Sequence, residues 1–130
     1  MIKAGGGSIV NVSSANAIVG RPKWAQYDAT KAAVLALTRD MAHDHAEHNI
    51  RVNSVCPGPT ITSYHIRNRA AHDSTSQEAA EAAMRQAGVR NLFKRYGEPS
   101  ELAHSILFLA CDESSYVTGA NFMIDGGLSA

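Results

Sequence analysis

The sequence predicts an α/β protein with three parallel strands and flanking helices. Three observations carry that prediction. Short runs of β-branched and apolar residues at 8–13, 50–55 and 121–124 have the length and composition of buried strands. Longer helix-forming stretches lie between them, and strand–helix–strand alternation implies a parallel sheet with right-handed crossovers. Glycine and proline punctuate the strand ends, in Pro57-Gly58-Pro59 and in Asp125-Gly126-Gly127.

Taken in order, Met1-Ile2-Lys3-Ala4 reads as the last turn of a helix, stopped by Gly5-Gly6-Gly7. Those glycines precede a strand rather than a helix, so they do not form a dinucleotide fingerprint. The strand at 8–13 is apolar on both faces and is expected inside a sheet, with a missing neighbour on one side. A loop over 15–23 contains Gly20 and Pro22, and a helix runs from Trp24 to about His48. Its Ala32, Leu35, Ala36 and Met41 are expected to face the sheet. The next strand, 50–55, ends in the Pro57-Gly58-Pro59 turn.

Residues 63–97 are polar and alanine-rich, with one helix expected over 76–87 and ended by Gly88. Pro99 opens the last helix beside Glu98 and Glu101. Its Leu102, Ile106 and Leu109, with Phe108 alongside, form a stripe expected in the core.

One hundred and thirty residues allow one domain with a modest core. Twelve basic and twelve acidic residues cancel, so no charge excess points to nucleic acid. No apolar run is long enough to span a membrane, and the first residues do not form a signal peptide. Cys56 and Cys111 are far apart and suit a reducing cytoplasm as free thiols. His43, His45, Glu47 and His48 crowd the end of the long helix. Without cysteine or a second arm they read as a solvated helix end, and no metal is expected.

The chemistry concentrates between Ser14 and Lys31. Tyr27 and Lys31 are four apart on a helix and therefore share a face. An ammonium beside a phenol favours the phenolate, and a phenol so placed can exchange a proton with an alcohol or carbonyl oxygen. Ser14, at a strand end, can hydrogen-bond the same oxygen. Strand carboxyl ends are where α/β sheets bind ligands, and both Ser14 and Pro57-Gly58 stand at such ends.

These residues resemble the Ser…Tyr-x-x-x-Lys pattern of the classical short-chain dehydrogenase/reductase family. The preceding Asn11-Val12-Ser13-Ser14 is similar too, as are Asn53-Ser54-Val55-Cys56-Pro57-Gly58, Val117-Thr118-Gly119-Ala120-Asn121 and Asp125-Gly126-Gly127. The resemblance spans essentially the whole chain. It implies the C-terminal half of a Rossmann-type doubly wound parallel sheet. Residues 1–58 would carry the catalytic segment and nicotinamide-side turn, 59–97 a substrate lid, and 98–130 the last helix and strand.

The resemblance further implies an oxidoreductase interconverting a secondary alcohol and a ketone with NAD or NADP. Ser14, Tyr27 and Lys31 are the implied catalytic residues. Tyr27, Lys31, Pro57, Gly58, Thr60 and Thr62 are implied to bind cofactor, with backbone groups at Thr60 and the side chain at Thr62 holding the carboxamide. The partner is a small-molecule carbonyl or alcohol. A homo-oligomer is implied as well, formed through the helix that carries Ala29, Ala32 and Ala33. Family members include 3-oxoacyl-carrier-protein reductases, sugar-alcohol dehydrogenases and steroid dehydrogenases. The family's pyrophosphate loop and catalytic asparagine have no counterpart here, so a second expectation stands beside the first: an inactive fragment, or a half-domain that acts only by dimerisation.

Overall fold

The computed structural model describes all 130 residues. Its elements are β1 (Gly7–Val12), α1 (Ala25–His45), β2 (Ile50–Pro57), α2 (Ser63–Asp73), α3 (Gln77–Gln86), α4 (Pro99–Ala110) and β3 (Asn121–Ile124). The strands form one parallel sheet in the order β1-β2-β3, with Val10 opposite Asn53 and Val55 opposite Phe122. The predicted α/β architecture and strand order along the chain are present.

β2 is the central strand, and its residues are the most deeply buried, including Val52, Val55 and Cys56. It also buries two polar side chains, and each has partners, as burial demands. Asn53 donates from Nδ2 to the Val117 carbonyl at 2.8 Å and accepts from the Ala120 N–H at 3.0 Å. Ser54 donates to Asn121 Oδ1 at 2.7 Å. These bonds hold the approach to β3 against β2. Arg51 gathers the carbonyls of Leu109 and Cys111 and the Ser114 hydroxyl. A guanidinium at the carbonyl end of α4 also matches the helix dipole.

α1 buries Leu35, Thr38 and Ala42, three positions on one helical stripe. Ala42 joins Ile50 and Val52 in the core, with Ile9 and Met41 packed against them. Ala32 departs from expectation: it is exposed, because the stripe turns past it to Lys31 and Leu35. The α-helix ends at His45 and continues as a 3-10 turn to His48, closed by Asn49 in the left-handed region (φ 56°).

The segment between β2 and α4 holds one more helix than the sequence predicts. α2 starts where the Thr62 hydroxyl accepts from the His65 N–H, and it ends at Ser74 in the left-handed region. It buries only Ala70, so no apolar stripe announces it. α3 buries Ala80 and Met84. The segment's two ends are tied together by a bridge between Thr60 and Gly97.

α4 begins with a reciprocal capping box between Glu98 and Glu101. The Glu101 carboxyl is lowered to about 2 by the Arg95 guanidinium and by the Glu98 N–H that it accepts from. Of the predicted stripe, only Leu109 is fully buried. Leu102, Ile106 and Phe108 are half-buried, since part of the surface they face is not covered by this chain. β1 likewise pairs with β2 alone, and its outer edge has no strand beside it. No helix is long and apolar enough to cross a membrane.

Candidate active site

Ser13 continues the β1 ladder by donating its N–H to the Val55 carbonyl at 2.8 Å. Its hydroxyl donates to the Lys31 carbonyl at 2.7 Å, which ties the strand end to α1. Ser14 follows in extended conformation and is buried. Its Oγ accepts from the Asn16 N–H at 3.1 Å. That bond uses a lone pair and leaves the hydroxyl proton for a ligand oxygen.

Tyr27 lies in the first turn of α1 and Lys31 one turn later. The Lys31 ammonium is 5.8 Å from the Tyr27 ring centre. It donates to the Val12 carbonyl at the end of β1 at 3.0 Å. Trp24 meets Tyr27 edge-on at 5.5 Å, which limits how far the phenol ring can swing.

Ser14, Tyr27 and Lys31 line one cleft of about 560 Å³, together with Pro57, Gly58, Thr60 and Thr62. The cleft lies at the carboxyl ends of β1 and β2. All the residues singled out from the sequence therefore converge there. A second cavity of about 300 Å³, between Asn91 and the end of β3, contains none of the three.

The turn after β2 has a clear reason for its glycine. A Cβ at Gly58 would stand 2.6 Å from Asp125 Cα, and the Gly58 N–H donates to Ile124 at 2.9 Å. Thr60 is buried, and its hydroxyl donates to the Gly58 carbonyl at 3.0 Å. Its own carbonyl lies 3.0 Å from His65 Nδ1. A carbonyl only accepts, so Nδ1 is assigned the proton, and that proton also faces Thr62 Oγ at 3.0 Å. What remains for a ligand is the Thr60 N–H and the Thr62 hydroxyl proton. Cys56 sits beneath the cleft. Burial pushes its thiol up, outweighing the hydrogen bonds of Ser54 and Ser13, so it stays a neutral packing group.

Arg21, Trp24, His65 and Tyr96 are among the cleft residues that escape the sequence motifs. The Arg21 guanidinium carbon lies 3.5 Å from the Trp24 ring centre and 5.8 Å from that of Tyr27. The three-residue steps from Arg21 to Trp24 to Tyr27 are the only trace of this in the sequence.

A parallel α/β half-sheet with its cleft at the carboxyl edge of the strands defines a Rossmann-type protein. The chain belongs to the short-chain dehydrogenase/reductase family. The family model described as enoyl-(acyl carrier protein) reductase matches residues 1–129. The chain is 45% identical over 128 residues to the 3-oxoacyl-[acyl-carrier-protein] reductase FabG of Thermotoga maritima, covering 98% of this chain and 48% of that protein. Ligand-free aldohexose dehydrogenase of Thermoplasma acidophilum matches with a TM-score of 0.87 and 33% identity, covering 99% of this chain and 50% of that one. L-sorbose reductase of Gluconobacter frateurii, complexed with NADPH and L-sorbose, matches with a TM-score of 0.86 and 29% identity, covering 98% and 49%. The chain spans about half the length of the curated relatives it matches.

Proposed function

We propose that this chain supplies the proton-transfer half of an NAD(P)-dependent oxidoreductase that interconverts a secondary alcohol and a ketone. The observation that carries the reading is the convergence of Ser14, Tyr27 and Lys31 on one cleft, with the Lys31 ammonium anchored beside the phenol. In the reductive direction Tyr27 gives its proton to the carbonyl oxygen, and in the oxidative direction it takes that proton back. Ser14 donates to the same oxygen and orients it. Lys31 stabilises the phenolate left behind.

The donor set fits the nicotinamide end of the cofactor. Lys31 and Tyr27 offer donors to a ribose diol, while the Thr60 N–H and the Thr62 hydroxyl suit a carboxamide oxygen, with Pro57 and Gly58 shaping the turn. When bound, the nicotinamide supplies or accepts the hydride. L-sorbose reductase, a structural neighbour complexed with NADPH, supports a cofactor of this class. The outer face of α1 exposes Ala29, Ala32, Ala33 and Leu37, which supports pairing with a second copy. Free Cys56 and Cys111 accord with a reducing cytoplasm.

A second reading, a non-catalytic half-domain that acts by association, draws support from the unpaired outer edge of β1. One experiment separates the two. Joined to the N-terminal half of the Thermotoga reductase, this chain is expected to reduce ketones with NADPH or NADH and to lose that activity in Tyr27→Phe. A chimera that folds and binds cofactor but turns over no carbonyl compound would leave the associative reading.

A further inference from the structure

The cleft walls carry Arg21, Lys31 and His65, and no aspartate or glutamate lines them. The chain as a whole has equal numbers of acidic and basic residues, so this bias belongs to the cleft. Lys31 is already engaged with Val12 and, on the reading above, with cofactor. Arg21 is not engaged in this way. Arg51, Arg69, Arg85 and Arg95 bond carbonyls or carboxylates, and of the other arginines, Arg21, Arg39, Arg67 and Arg90, only Arg21 lines the cleft. Arg21 instead stacks on the Trp24 face, within 5.8 Å of the Tyr27 ring centre. A stacked guanidinium keeps its in-plane N–H donors free, and those donors match a carboxylate or phosphate in two-point geometry. Stacking also pre-orders the side chain, so less conformational freedom is lost when an anion binds.

We infer that Arg21 is a specificity residue and that the substrate carries an anionic group, a carboxylate or an acid of like shape, close to its carbonyl or alcohol carbon. This rests on the oxidoreductase reading for the word substrate, while the anion site itself does not require it. His65, which lines the same cleft, holds its Nδ1 proton on Thr60, which leaves Nε2 as the ring atom available to a polar substrate. The neutral amide, ester or methyl analogue of the same molecule leaves the guanidinium unpaired and is discriminated against.

Trp24 is the only tryptophan in the chain, and its indole carries the Arg21 guanidinium. Its fluorescence therefore reports the site directly. The purified chain is titrated with acetoacetate and, separately, with methyl acetoacetate, without cofactor. Acetoacetate is expected to change the emission saturably and the ester to leave it unchanged. Arg21→Gln is expected to abolish the response, and Arg21→Lys to weaken it. An equal response to acid and ester, no response to the acid, or a response that survives Arg21→Gln would overturn the assignment. In the catalytic chimera, Arg21→Gln is expected to lower kcat/KM for the keto acid by about tenfold to a hundredfold, the range for hydrogen bonds to a charged group, while sparing the ester. Chimera turnover of neutral ketones that depends on Tyr27, with no preference for the acid, would defeat the anion assignment alone. A Trp24 response to the acid without any Tyr27-dependent turnover would defeat the oxidoreductase reading alone.

Discussion

Lys31 donates its ammonium proton to the carbonyl oxygen of Val12 at 3.0 Å, so a residue of α1 is tied to the last residue of β1. The bond holds the charge 5.8 Å from the Tyr27 ring centre, where a long flexible side chain would otherwise sample many positions. In the catalytic chimera, Lys31→Met is expected to weaken NAD(P)H binding and to lower turnover together. Lys31→Arg is expected to rescue poorly, because a planar fork replaces a compact ammonium at that carbonyl. Cofactor titration and steady-state rates check both, and a fully active arginine variant would show that only charge matters.

Tyr27→Phe keeps the ring and its edge contact with Trp24 but removes the proton. The expected loss in kcat is roughly 10²- to 10⁴-fold, the range for a general acid–base group. Cofactor binding measured alongside should change far less. Near wild-type turnover in this variant would remove Tyr27 from the mechanism.

These positions are legible in the sequence because each rests on a local rule. The Tyr27–Lys31 spacing places both on one helix face, and Ser14 stands where a run of β-branched residues ends. The strands were visible for the same reason, as was α4 with its proline and paired glutamates. α2 was not, because it buries little more than Ala70, and its start depends on one threonine hydroxyl. Leu102 and Ile106 were expected in the core, since periodicity shows which face is apolar but not whether anything covers it. The Arg21–Trp24 stack depends on how a loop folds back, which no periodicity encodes.

Gly58 is required for close approach rather than for backbone conformation. Gly58→Ala would drive a methyl group into Asp125, whose Cα and Cβ would lie 2.6 and 2.8 Å away. Overpacking of this kind costs about 1–3 kcal/mol or more. Urea unfolding should show the loss, and a variant as stable as the parent would mean that the Asp125 turn moves freely.

Asp125 gives the fold an acid-sensitive tie. Burial disfavours its charge, but the Ser129 hydroxyl and the N–H groups of Gly127, Ser129 and Leu128 outweigh that and hold its carboxyl below the usual range. The group therefore contributes stability fully above its unfolded value of about 3.9, and that contribution is lost as pH falls through the lower folded value. Asp125→Asn is expected to destabilise by about 1–3 kcal/mol at neutral pH. The gap between the two proteins should close below about pH 4. A gap that is constant from pH 7 to 3 would show that the charge plays no part.

The chain's own surface sets the last expectation. It exposes 8133 Å², whereas a self-contained monomer of its 13.9 kDa mass exposes about 6,700 Å². The excess, about 1,400 Å², exceeds the roughly 800 Å² that each partner contributes to a standard interface. Part of it is apolar, as at Val12 on the open edge of β1, Leu37 on the outer face of α1 and Leu107 on α4. An edge strand with free N–H and C=O groups beside such surface is a template for association. The purified 130-residue chain is therefore expected to run well above 13.9 kDa by light scattering. On the proposed reading its cleft holds the nicotinamide end of the cofactor and not the rest, so it is also expected to bind NADH and NADPH weakly and to reduce no ketone by itself. A monodisperse monomer that binds either cofactor at micromolar concentration would show that this half of the sheet closes its own surface and holds more of the site than its residues indicate.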